Sequence, residues 1–201
     1  MNTNRSVTKQ DSQVSDKRVK LKGGPDAILD AAEDLIRTGG MERLTIGGVA
    51  SAVDVTKAGV LHHFSNRRGL VRALIERDHQ RFAASLSENL SALKAKSGAS
   101  SRDLELAAYA ASVLSDAESA DSLRLSLTLA CLIDPSLIED LDVAQTTPWE
   151  ALDPSDDNDV AYALKRLAYE GLWLNRILKI GLPDDLETKI IKSLEKIDEP
   201  R

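Results

Sequence analysis

Apolar residues recur at helical spacing along most of the chain. Ile28, Ala31, Ala32, Leu35 and Ile36 fall at i, i+3, i+4, i+7 and i+8, one stripe of an amphipathic helix. Pro25 suits its first position, Asp26 complements its positive end, and Gly39-Gly40 stops it. A short second helix starts at Thr45 as N-cap and runs to about Ala52, burying Ile46, Val49 and Ala50. Gly47 and Gly48 inside it cost roughly 1 kcal/mol each relative to alanine, so packing must hold it. Val53-Asp54-Val55 forms a turn. Thr56 then caps a third helix ending near Phe64, with Val55, Val60 and Phe64 on its buried side and Ser65-Asn66 as the next turn and cap.

The same period predicts a long helix over about 67–94, carried by Leu70, Val71, Leu74, Ile75, Phe82, Leu86, Leu90 and Leu93. After a loop at 96–101 come helices over about 102–117 and 121–133, the latter ended by Asp134-Pro135. A short helix is expected over 136–144 and a loop over 145–157. Two last helices, about 158–180 and 184–198, are divided by Gly181-Leu182-Pro183. No strand pattern and no internal repeat interrupts the series. The expected class is all-α with about nine helices, as a helix-turn-helix unit over 24–69 and a helical body over 70–201. Residues 1–23 are polar and almost free of apolar side chains, which predicts a disordered arm with a basic end, Lys17-Arg18-Val19-Lys20-Leu21-Lys22. Such an arm serves either as a DNA-touching extension or as a solubilising tail, and both readings stay open.

Composition narrows the class. Of the 201 residues 42% are hydrophobic and only 3% aromatic, which favours helices over sheets. No run reaches the roughly 18 apolar residues of a membrane span, since Arg124, Ser126 and Thr128 break Leu123 to Ile133. With no secretory signal visible and Cys131 as the one cysteine, the expectation is a cytoplasmic protein without an internal disulfide or multi-cysteine metal site. The net charge of -6 is uneven: residues 1–81 carry 14 Lys and Arg against 10 Asp and Glu, and the rest carry 12 against 22. A basic front on an acidic body fits local attraction to phosphate, although charge halves also differ by chance.

A helix that reads the major groove needs an apolar side to dock, a tight turn to set its crossing, and short outward side chains. Thr56, Lys57, Ala58, Gly59, His62 and His63 supply the last of these. His62-His63 as a metal pair is disfavoured, because adjacent helical residues point about 100° apart and no third ligand is near in sequence.

The context is more specific than the hairpin. Ala27-Ile28-Leu29-Asp30-Ala31-Ala32-Glu33-Asp34-Leu35-Ile36, Gly39-Gly40, Leu44-Thr45, the hairpin ending His62-His63-Phe64, and Arg67-Arg68-Gly69-Leu70 together resemble the N-terminal domain of TetR-family repressors over about residues 25–75. The resemblance implies a three-helix DNA-binding domain, an all-α ligand-binding domain, and a homodimer on a palindromic operator. It places Thr45 at a phosphate-contacting cap, and Thr56, Lys57, Ala58, Gly59 and His62 at reading positions. His63 and Arg67 fall where the family binds phosphate. Three residues depart from the pattern. Leu61 stands where the family usually has tyrosine and is expected to pack. Asp54 replaces the turn glycine, tolerably, since aspartate accepts left-handed backbone better than most residues. Val53 replaces the usual alanine.

In the body, Ala161, Leu164, Leu167, Ala168, Leu172, Trp173, Leu174 and Ile177 cover more of a helix than one stripe, as if packed on both sides. The resemblance implies a four-helix dimer interface, here expected to use Leu164, Leu167, Ala168, Gly171, Leu172, Leu174, Ile190 and Leu194; an ordinary monomeric core is the alternative. Tyr109, Leu123, Leu127, Cys131, Trp149, Tyr169 and Trp173 are candidate linings of a pocket for a small, mainly apolar effector, or simply core. The functional expectation is a repressor released from its operator by such a ligand, needing no cofactor. A DNA-binding protein controlled by a protein partner remains an alternative. A helical enzyme or carrier is less favoured, because no catalytic constellation is visible.

Overall fold

The computed structural model describes residues 24–95, 101–115, 118–139, 148–178 and 181–195. The arm predicted over 1–23 lies outside them. Among the described residues every regular element is helical: α1 (Pro25–Arg43), α2 (Ile46–Ala52), α3 (Lys57–Phe64), α4 (Arg67–Lys94), α5 (Ser101–Leu114), α6 (Glu118–Ile133), α7 (Asp157–Ile177) and α8 (Asp184–Glu195). Short 3-10 turns occupy Pro135–Leu137 and Pro148–Ala151. The first is what the described residues show of the helix expected over 136–144; the second lies in a stretch expected to be loop.

Two apolar clusters organise these helices. The first joins Ile28, Ala32 and Ile36 of α1 to Val49 of α2, Val60 of α3, Leu70 and Leu74 of α4, and Leu123 and Leu127 of α6. The second joins Leu106, Tyr109 and Val113 of α5 to Tyr162, Tyr169 and Leu172 of α7 and Leu194 of α8. Helix α4 enters both, with Leu70 to Ile75 in the first and Phe82 and Leu86 against the second. Its 28 residues make a rod about 42 Å long that passes residue 69 unbroken.

Charged contacts fasten α4 to its neighbours. Glu33 of α1 is buried yet meets three guanidinium groups, Arg37 at 3.0 Å, Arg77 at 3.6 Å and Arg81 at 2.8 Å. Arg77 also pairs with Asp30. On the other side Arg124 of α6 donates to Asp78 at 3.2 Å and lies 5.2 Å from the centre of the Phe82 ring. A buried carboxylate is tolerable only because cations surround it.

Candidate nucleic-acid interface

Helix α1 breaks at its glycines: Gly40 has φ 70° and ψ -178°, a conformation open essentially to glycine alone. A last turn at Met41–Arg43 then leads to Leu44, which is fully buried. Thr45 caps α2, accepting the Gly48 N–H at 2.9 Å, and Thr56 caps α3, accepting the Gly59 N–H at 3.0 Å. Both hydroxyls keep their own proton to donate outward. Between the helices Asp54 has φ 56°, and the Val55 N–H reaches back to the Ala50 carbonyl at 3.0 Å. This is the left-handed, six-residue closure that ends helices without glycine only when the side chain tolerates it.

Val60 is fully buried and Val55 and Phe64 pack beside it, which turns Thr56, Lys57, Ala58, His62 and His63 to the outside. Gly59 is half-buried. A methyl group at Gly47 would stand 3.0 Å from Cε of Lys57, so a bare α2 backbone leaves room for the lysine stem. Leu61 does not pack as expected; it is 40% exposed, because Val60 takes the inner position and the next residue turns about 100° away. Helix α3 thus presents an apolar side chain on its outer face.

The turn into α4 depends on a close approach. Ser65 has φ 55°, the Asn66 side chain accepts the Gly69 N–H at 2.8 Å, and a Cβ at Gly69 would stand 2.3 Å from the Phe64 carbonyl oxygen. Arg67 follows at once. Its Nε donates to the Leu44 carbonyl at 2.7 Å and its Nη2 to the Met41 carbonyl at 2.8 Å. The guanidinium therefore clamps the α1–α2 link immediately before Thr45.

The seven residues proposed from sequence as pocket lining are not brought together. Leu123, Leu127 and Cys131 belong to the first cluster, whereas Tyr109, Tyr169 and Trp173 belong to the second. Burial pushes the Cys131 thiol up from its ordinary pKa. Trp149 stands with its ring 5.4 Å from the Arg166 guanidinium, and the Trp173 indole N–H is buried without a hydrogen-bond partner in the structure. A cavity of about 450 Å³ is lined instead by Met41, Arg68, Val71, Leu129, Ile133 and Leu137 among others, between the helix-turn-helix unit (the reader) and the helical body.

The interface candidates on α7 and α8 divide. Leu164 and Leu167 are 59% and 53% exposed, and Val160, Leu174, Leu178 and Leu186 are exposed too. Spaced at 160, 164, 167, 171 and 174, the α7 members form one stripe that runs on to Leu178 at the helix end, with open space over Gly171. Leu172 and Leu194 instead belong to the chain's own core, and Ala168 and Ile190 pack against it.

Sequence reasoning missed the buried polar side of α7. Asp159, Lys165 and Arg166 are buried there, and the Arg166 guanidinium lies 4.2 Å from the centre of the Tyr109 ring. Their signal was available: 162, 165, 166, 169 and 172 share a face opposite the leucine stripe. Burial, reinforced by Glu170, pushes the Tyr109 phenol well above its ordinary range, and its hydroxyl donates to Glu170 at 2.9 Å. No group of His, Cys, Asp and Glu able to hold a metal occurs among the described residues.

Comparison with known proteins matches this architecture. The model of bacterial regulatory proteins of the tetR family covers residues 28–74, and the tetracyclin repressor-like C-terminal domain covers 105–199. Curated protein sequences give no significant match. Among solved structures, a transcriptional regulator from Rhodococcus sp. Rha1 is similar with TM-score 0.64 and 20% identity, over 87% of this chain and 95% of that one. A TetR-family member from Streptomyces coelicolor A3 gives TM-score 0.62 and 20% identity over 84% and 96%. The multidrug binding protein EbrR, complexed with imidazole, gives 0.58 and 17% over 88% and 96%. At those identities the likeness shows the fold, and the two domain models, in order along one all-α chain, supply the rest. The chain belongs to the TetR family of DNA-binding transcriptional regulators, not to an enzyme family.

Proposed function

We propose that the protein is a cytoplasmic, homodimeric repressor that holds a palindromic operator and leaves it when a small, mainly apolar molecule binds. The observation that carries this reading is the outer face of α3, where Val60 is buried while Lys57, Ala58, Leu61 and His62 stand free on a helix capped at Thr56. Lys57 suits guanine O6 and N7, and Leu61 suits a thymine methyl, which gives the leucine-for-tyrosine departure a reading role. Thr56, Gly59 and His62 approach neighbouring base edges. Thr45 and His63 donate to phosphates, and Arg67 acts chiefly by holding the link that aims Thr45.

The α7 stripe supports the dimer. Five exposed apolar residues at helical spacing, Val160, Leu164, Leu167, Leu174 and Leu178, with open space over Gly171, suit a helix packed against a second copy. Two readers set about 34 Å apart then meet successive major grooves on one side of the duplex. An effector dissolves the complex only by binding better to a state with other spacing. The apolar-lined 450 Å³ cavity is of a size that small ligands occupy.

A gel shift with the DNA upstream of the protein's own coding region tests the reading. Wild-type protein should bind with steep salt dependence. Thr45→Ala should weaken binding to all duplexes alike, and Lys57→Ala should in addition blur the preferred site. Unchanged affinity in both variants would remove the docking scheme.

A further inference from the structure

The cavity between reader and body has a chemistry of its own. Its floor is apolar, formed by Val71 of α4, Ala130 of α6 and Leu137 of the 3-10 turn. Leu129 and Ile133 raise one wall from the end of α6, and Ile133 is 85% exposed. Its charged lining is two guanidinium groups, Arg67 and Arg68, against one carboxylate, Asp134. Arg68 is half-exposed; it donates to Ser136 Oγ and stands 3.8 Å from Asp134, a loose pairing. A planar guanidinium that is half-exposed beside an apolar trough, with one N–H on a hydroxyl and no close carboxylate, fits a ligand carboxylate better than it fits a neutral or cationic group.

The geometry points to an effector site in this cavity for an amphipathic organic anion, an apolar body with one carboxylate, anchored at Arg68. This inference rests on the repressor reading and deepens it, by placing the effector at the joint instead of among the aromatic residues of α5 and α7. The joint is also where binding reaches the DNA-binding face most directly. Met41 lines the cavity, and its carbonyl is held by Arg67, which also holds Leu44, the residue before Thr45. A ligand that separates α6 from the start of α4 shifts the clamp, and with it the α2 cap. With two guanidinium groups against one carboxylate, the lining favours an anion over a decylammonium-like cation, and the volume of the cavity suits a small molecule.

Isothermal titration calorimetry of the full chain with decanoate below its micelle concentration tests the site, with 1-decanol and decylammonium as controls. Decanoate should bind once per chain, and Arg68→Gln and Leu129→Glu should each weaken it about tenfold or more. Decanol should bind at least about tenfold more weakly than decanoate, and decylammonium should give no heat. Both substitutions fall at exposed positions, and unchanged circular dichroism and melting would confirm folded variants. On operator DNA, decanoate should release the wild-type protein, whereas Leu129→Glu should still shift the duplex and resist release. No decanoate binding, equal binding of decanol, or decanoate binding indifferent to both substitutions would overturn the site. A wild-type protein that shifts no DNA without decanoate would overturn the repressor reading instead, while the calorimetry would still decide the site.

Discussion

The reader and the body solve opposite packing problems. Around α1, α2, α3 and the start of α4 the core is apolar apart from the buried Glu33 and the arginines that meet it, and α2, α3 and α4 each begin at a side chain that accepts a backbone N–H. Around α5, α7 and α8 the core contains Arg166, Lys165 and Asp159, and an apolar stripe on α7 faces outward. Mostly apolar packing of this kind needs only the chain itself. A polar interior beside an exposed leucine stripe leaves apolar burial unfinished, which is what a subunit with a partner requires. The start of each reader helix is thus set by local rules, and the body keeps an exposed apolar stripe on which the proposed dimer rests.

The comparison breaks first in the core. Leu44→Ala, at a fully buried site, should lower unfolding stability by about 3 kcal/mol in denaturant titration, whereas Leu167→Glu on the stripe should leave the monomer nearly as stable and abolish the dimer in light scattering. Next comes the turn into α4. Gly69→Ala should cost about 2 kcal/mol, since the new methyl meets the Phe64 carbonyl and the backbone must shift, and DNA binding should fall with it. In the body, Tyr109→Phe should cost about 1 kcal/mol through the lost hydrogen bond to Glu170, with no change in operator affinity if the two regions are separable. The smallest effect belongs to Asp54→Gly, which relieves left-handed backbone and frees the unfolded chain in nearly equal measure, for a net change of a few tenths of a kcal/mol in thermal melting.

The reader was legible because its signals are local. Thr45 and Thr56 as caps, Gly39-Gly40 as a break, Asp54 in left-handed backbone and Val60 as the inner residue each follow from one or two neighbours in sequence, and the structure places them so. Leu61 misled because a leucine in a small helix reads as core, although Val60, already on the buried side, turns it about 100° away. The body's helices were found, but which of their faces turn inward was not. On α7 two faces both repeat at helical spacing, and which one turns inward depends on α5 and α8. Leu172 and Leu194 therefore read as interface from sequence and are core in the fold. The cavity at the joint was invisible for the same reason: Met41, Arg68, Leu129 and Leu137 share no local pattern.

Selection of the protein against a library of random duplexes asks whether two copies read DNA together. An inverted repeat should emerge whose half-site centres lie about one helical turn apart, with Lys57→Ala changing the bases preferred within each half and Leu167→Glu removing the need for two halves. Enrichment of no sequence, or of a single half-site by the wild-type protein, would contradict joint reading by two copies.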